Sequence, residues 1–235
     1  MFGIQSANNT LVIIAPHTTF LACIWIQKGS TALFSVAAYK QYICTHFQIG
    51  RGILFNLSWI ESCIKNFLSH YSLYDSYIAI MPDRISTPHG FVYTSERFPA
   101  PDMFNPYYIH NTECGTDYIY TNEEYKHVYY WYQIPRILIL QYQYIAIAAH
   151  LNCIRITPRF IALLHAYKAL HGSAFRTTQL HLDLQKTHNS IARYFTIDST
   201  RRLVSGVSSE LYSNTQTVVD IIGAAGIAYL YQDHI

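Results

Sequence analysis

Residues 11–42 read LVIIAPHTTFLACIWIQKGSTALFSVAAYKQY. Three short runs of β-branched and aromatic residues, 11–15, 20–26 and 32–39, are separated by Pro16-His17-Thr18 and by Lys28-Gly29-Ser30. Runs of this length, punctuated by Pro and Gly, predict a three-stranded antiparallel meander. A loop with Gly50 and Gly52 follows. LSWIESCIKNFLSHY then sets Leu57, Ile60, Ile64, Phe67, Leu68 and Tyr71 on one helical face, and Ser58 and Glu61 have capping-box spacing at its start. A strand over 77–81 closes on Pro82-Asp83.

From 83 to about 130 the pattern loosens, with Pro88, Gly90, Pro99, Pro101, Pro106 and Gly115 among many Tyr, Asn and Asp. This predicts an insertion with short strands and no second independent domain. Pro135 opens a strongly apolar helix to about 150, 153–157 is a strand, and 160–171 is a helix stopping before Gly172. A hairpin pairing 179–184 with 191–197 comes next, and an apolar helix over 217–231 containing GAAG, Gly223 to Gly226, ends the chain. Sheets alternating with helices give an α/β layered domain.

Hydrophobic residues make up 51% of the 235 and charged residues 13%, about half the usual charged share, which excludes a disordered chain. Net charge is +2 with no basic run, so nucleic acid is not an expected partner. Five cysteines at irregular spacing, Cys23 and Cys63 within apolar periodic stretches, read as reduced thiols and not as a disulfide framework. The N-terminus MFGIQSANNTLVIIAPH lacks a basic start, and no run of 18 apolar residues occurs. The expectation is a soluble, cytoplasmic protein.

The order of elements resembles the actin-like (RNase H-like) ATPase fold, and within it the PilM/HofM group of type IV pilus assembly proteins, with the related cytoplasmic domain of GspL from type II secretion. Residues 11–42 resemble the opening meander, 56–82 the next helix and strand, 135–170 the connecting helix, strand and helix, 180–207 the second-lobe hairpin, and 218–234 the terminal helix. The resemblance implies a two-lobed α/β chain: residues 1–158 as first lobe with an insertion at about 84–130, and 159–235 as a reduced second lobe with a C-terminal helix. In this fold the first turn supplies Asp and Gly near the phosphates. Here that turn is Ala15-Pro16-His17-Thr18. The second turn ordinarily reads Asp-x-Gly-Gly/Ala-x-Thr, and here it is Asp183-Leu184-Gln185-Lys186-Thr187-His188. Glycine is needed where backbone N–H groups must approach phosphate, a Cβ blocks that approach, and Pro16 has no N–H to offer. Were ATP bound, Asp183 would stand near the metal, with Lys186 and Thr187 at the phosphates. The better reading of these residues is a solvated hairpin end, with no cofactor and no catalysis.

Other constellations carry less. His110, Cys114, His150 and Cys153 are zinc-ligand types, but neither CxxC nor HxxxH is present, so no metal site is expected. His150 reads as a helix-end cap. The GAAG cluster reads as tight helix packing within the fold. The resemblance implies a groove of the first lobe that takes the N-terminal tail of a PilN-like inner-membrane protein, with the Tyr-rich run 118–132 and the helix from Pro135 nearby. The expected function is thus a non-catalytic cytoplasmic adaptor at the inner membrane face of a type IV pilus or type II secretion-like platform. The alternatives are an ATP-binding member of the same fold and an unrelated α/β enzyme.

Overall fold

A computed structural model describes residues 10–44, 49–50, 53–73, 76–82, 89–95, 112–120, 127–172 and 194–231. The predicted meander is present as β1 (Leu11–Pro16), β2 (Phe20–Lys28) and β3 (Phe34–Ile43), paired antiparallel from Leu11↔Ile26 and from Phe20↔Ile43. Two crossovers add parallel neighbours on the other side of β1: β6 (Tyr77–Ile80), and beyond it β10 (Asn152–Ile156). The sheet is therefore mixed, in the order β10-β6-β1-β2-β3-β11, where β11 (Val204–Ser205) lies parallel to β3 at Phe34 and Ser35.

Every residue of β1 is buried, as is most of β2, so both faces of the sheet are covered. That is why these strands read as continuous apolar runs without alternation. Register shows which helix covers which face. Tyr39 pairs with Ile24, so their side chains share a face, and the Tyr39 hydroxyl reaches Thr217 on the last helix. The next residue, Trp25, points the other way and sets its ring 6.1 Å from that of Tyr71, on α1 (Leu57–Tyr71). Beside α1 packs α2 (Arg136–Ala148). On the opposite face α3 (Arg159–His171), α4 (Ile197–Leu203) and α6 (Thr215–Leu230) pack on one another, with the short α5 (Ser209–Tyr212) leading into α6.

The GAAG cluster brings α3 and α6 together. A Cβ at Gly226 would lie 1.7 Å from the carbonyl oxygen of Ala162, and one at Gly223 would lie 2.5 Å from Met81 Sδ. Only a residue without a side chain lets the α3 backbone come this close. The packing reading of the cluster holds.

In the insertion, β7 (His89–Thr94), β9 (His127–Pro135) and β8 (Thr112–Tyr120) form a three-stranded antiparallel sheet with β9 central. Val128, Tyr130, Tyr132 and Ile134 join the main core, Tyr130 meeting Phe160 of α3 at 5.0 Å. Tyr129 and Trp131 form a small cluster with Val92 on the other face. Of the Tyr-rich run 118–132, residues Tyr129, Tyr130, Trp131 and Tyr132 are packed inside.

Three further expectations are corrected. Asn56 caps α1 by accepting from the Trp59 N–H at 3.0 Å, while Ser58 lies inside the helix and Glu61 pairs with Lys65 at 2.6 Å. Both Asn56 and Ser58 are good caps, so spacing alone could not choose between them. The strand expected over 191–197 fails in its described part: Thr196 accepts from the Ser199 N–H and Ile197 begins α4. Here a local side-chain-to-backbone bond overrides the apolar alternation. Finally, the loop at Gly50 and Gly52 is bounded by a small hairpin, β4 (Ile49–Gly50) with β5 (Ile53–Leu54). The Gln141 carboxamide pins it to α2, donating to the Leu54 carbonyl at 2.9 Å and accepting from the Leu54 N–H at 3.0 Å.

Candidate functional site

Parallel strands gather their C-terminal ends along one edge of a sheet, and α/β proteins place ligands there. Here β1, β6 and β10 end together. Met81 donates to the Ile14 carbonyl at 2.7 Å, Thr157 to the Ile80 carbonyl at 2.8 Å, and Arg159 to the Pro82 carbonyl at 3.2 Å. These bonds hold the residue after β1, His17, beside the first residue of α3, Arg159. The turn at His17 is closed by its own N–H bonding the Phe20 carbonyl at 2.8 Å, and its ring stacks on Phe20 at 4.0 Å.

Asp220, from the middle of α6, fills the space between them. Its carboxylate lies 2.9 Å from His17 Nε2 and accepts from Arg159 Nη2 at 2.9 Å. His17 is 3% exposed, Arg159 6% and Asp220 0%, so solvent screens this charge pair little. Arg159 Nη2 also stands 2.8 Å from His17 Nε2. One ring nitrogen cannot donate to the carboxylate and accept from the guanidinium together. Asp220 only accepts, so a proton on Nε2 lets His17 join Arg159 in donating to it.

A polar chain leads from this cluster toward the edge of the sheet. Gln216 Nε2 is 3.5 Å from Asp220 Oδ1. One helical turn from Asp220, Thr217 accepts from Tyr39 at 3.3 Å and from Gln41 at 3.3 Å, and Gln41 donates to the Tyr39 hydroxyl at 2.6 Å. Burial raises the Tyr39 phenol pKa first of all, and the Asp220 charge adds to it, so Tyr39 stays a neutral donor. Asn214 sets the direction of α6 by accepting from the N–H groups of Gln216 and Thr217.

Chemically, this is a closed charge cluster. The turn that in the implied fold would bring backbone donors to a phosphate here carries Pro16 and a buried His17, and a carboxylate of the protein's own already takes the two nearby donors. Asp183, Lys186 and Thr187 lie outside the described residues, as does His110. His150 is exposed at φ +57°, just past the α2 C-cap Ala149, and its N–H bonds the Ile147 carbonyl at 3.0 Å, as a helix-end residue does. Among the described residues no three His, Cys, Asp or Glu side chains are placed to hold a metal. The described free cysteines, Cys23, Cys44 and Cys63, all have thiol pKa values raised chiefly by burial, that of Cys63 to about 11. They are poor nucleophiles. No described helix is long and apolar enough to cross a membrane.

The sequence reading missed Asp220 and Arg159. The signal was available. Asp220 is the one charged residue in TQTVVDIIGAAGIAYL, a helix apolar all round, and a lone charge in such a helix must be buried and paired.

No protein-family model matches the chain, and no curated protein matches it in sequence. Solved structures do match in fold. In the PilM–PilN type IV pilus biogenesis complex the likeness has a TM-score of 0.53 at 9% identity, over 68% of this chain and 51% of the other. The chain thus spans about half the length of that relative. The cytoplasmic domain of EpsL, an inner membrane component of the type II secretion system of Vibrio cholerae, matches at a TM-score of 0.38 and 9% identity, over 65% of this chain and 57% of that one. Thermus thermophilus RuvC matches at 0.42 and 10% identity, over 95% of each chain. At these identities the first likeness is one of fold.

Proposed function

We propose that this protein is a non-catalytic adaptor of a pilus or secretion assembly platform, built on an actin-like (RNase H-like) fold whose phosphate turn has been filled by its own side chains. One observation carries the reading: the buried His17–Arg159–Asp220 cluster sits where the implied fold would need open backbone donors and a metal-facing carboxylate. A phosphoryl-transfer site needs that space for metal and phosphate oxygens. Here Asp220 is engaged by two donors and Pro16 has no N–H. Asp183, Lys186 and Thr187 remain the residues that would meet nucleotide if any bound.

The fold likeness to a component of the PilM–PilN complex supports a role in the same kind of assembly, at the cytoplasmic face of the inner membrane. It also supports the tail of a PilN-like inner-membrane protein as the partner. With 129–132 packed inside, contact residues for such a tail are sought on the exposed surface and not on that Tyr-rich strand. The test is capture of the full chain with the immobilised cytoplasmic tail of a PilN-like protein from the same genome. Saturable binding, unaffected by ATP, is the expected result. Absence of binding to that tail and to every other platform component contradicts the adaptor reading.

A further inference from the structure

The opening meander leaves one side of β3 uncovered. Cys44 donates to the Thr19 carbonyl at 2.8 Å, one step beyond the pair Phe20↔Ile43. Backbone groups along an antiparallel pair point alternately toward the neighbour and away from it. Tyr42, Lys40 and Ala38 therefore face β2 as Cys44 does, and Tyr39, Gln41 and Ile43 turn their N–H and C=O groups outward. On that outer side β11 meets β3 only at Phe34 and Ser35. The chain then turns away at Gly206, where an added Cβ would sit 2.5 Å from the Val36 carbonyl oxygen. From Ala37 to Ile43 no described strand continues the sheet. Ala37, Lys40 and Ile43 are exposed, Ile43 at 76%.

This stretch is held in strand form by its own side chains. On one face Gln41 donates to the Tyr39 hydroxyl, which donates to Thr217 of α6. On the other face the Lys40 ammonium stands 5.1 Å above the Tyr42 ring. An edge strand with outward backbone groups is a template for another strand. Because β3 is already ordered, adding one costs it little entropy.

We propose that β3 takes up an extended acidic segment of a partner protein, which joins the main sheet as a further strand along Tyr39–Ile43. Charge selects this occupant. The first acid of the chain is Glu61, whereas β2 carries Lys28 and β3 carries Lys40. Among the described residues no carboxylate pairs with either lysine. Toward the β11 end of the opening, Arg201 and Arg202 are exposed in the last turn of α4. Asp198 and Glu210 lie in the first turns of α4 and α5, the helix position that favours an acid. Opposite charges across a strand pair stabilise it and like charges do the reverse. Pairing with a second copy would set two Lys40 side chains and no acid on one ribbon, and a basic segment would be repelled in the same way. Lys40 thus admits an acidic strand and deters the other two. This proposal does not rest on the adaptor reading.

The experiment titrates two end-blocked peptides of about seven residues, a strand's length, into the isotope-labelled full chain under NMR. One alternates valine with glutamate, the other valine with lysine. The glutamate peptide should bind saturably with Kd at or below about 1 mM, and the lysine peptide at least about tenfold more weakly. Hydrogen exchange carries the signature of strand addition: the amides of Tyr39, Gln41 and Ile43 should slow at least about tenfold with the glutamate peptide, and those of Ala38, Lys40 and Tyr42 should not change. Lys40→Glu should reverse the preference between the peptides. Ile43→Pro removes an outward N–H at an edge position, where proline is tolerated, and should abolish binding with the far-UV circular dichroism unchanged. No binding of the glutamate peptide, equal binding of both, or slowed exchange away from 39–43 overturns the proposal. So does the same slowing with rising protein concentration and no peptide, which would make a second copy the occupant.

Discussion

Replacing Asp220 by Asn is the sharpest test of what holds the strand ends together. The carboxamide keeps the shape of the side chain but removes its charge, and Arg159, 6% exposed, loses the carboxylate that stands 2.9 Å from its Nη2. Breaking a buried pair from one side costs about 3–5 kcal/mol. For a chain of this size that lowers Tm by roughly 6–20 °C. The reciprocal change is as informative. Arg159→Met with Asp220→Leu removes both charges and fills the space with apolar volume, and such replacements are often neutral or better. The double variant should stand within about 1–2 kcal/mol of wild type and well above Asp220→Asn, a coupling that additive sites do not show. Urea unfolding followed by circular dichroism and Trp fluorescence gives the numbers, with an unchanged m-value confirming that stability alone has moved. If Asp220→Asn unfolds within about 0.5 kcal/mol of wild type, the cluster is not the buried, mutually dependent unit described here.

At the α3–α6 contact, Gly226→Ala should destabilise by about 3 kcal/mol or more, since the added methyl meets rigid backbone of Ala162. Gly223→Ala should come out near neutral, because its methyl meets only the flexible Met81 side chain while helix propensity improves by about 1 kcal/mol; equal costs in urea titrations would contradict the geometry. Asn56→Ala should lower stability by about 1 kcal/mol through loss of the α1 cap, with Ser58→Ala within about 0.5. His171 should titrate below 6.5 by NMR, burial first and the Arg202 charge second lowering its pKa. Because the folded value lies below the unfolded one, the unfolded chain binds the proton more readily, so this group's effect is absent above pH 6.5 and erodes stability as pH falls below it.

The fold was legible in the sequence wherever one residue pattern had a single structural solution. The meander needed only its apolar runs and the breaks at Pro16 and Gly29, and α1 needed only its 3.6 period. The helix that became α6 was legible as buried because it is apolar all round, and its glycines as a packing contact. Legibility failed where short-range bonding competes with pattern. Asn56 and Ser58 offer the same capping chemistry two residues apart. Thr196 turned an apparently alternating run into the start of α4. The pair Val204–Ser205, too short to announce itself, became a strand only because β3 offered an edge at Phe34. The candidate site was half legible. The closed character of the first turn could be read from Pro16 and His17, but its partners Arg159 and Asp220 lie 142 and 203 residues away in sequence, and only folding brings them there.

The central claim is that the phosphate turn is occupied from within. Isothermal titration calorimetry of the full chain with ATP and Mg²⁺ tests it directly. The account predicts no saturable heat up to millimolar ATP, for wild type and for Asp183→Ala alike. Micromolar binding that vanishes in Asp183→Ala or in Lys186→Ala would contradict it, because a nucleotide would then have found room that His17, Arg159 and Asp220 are held to fill.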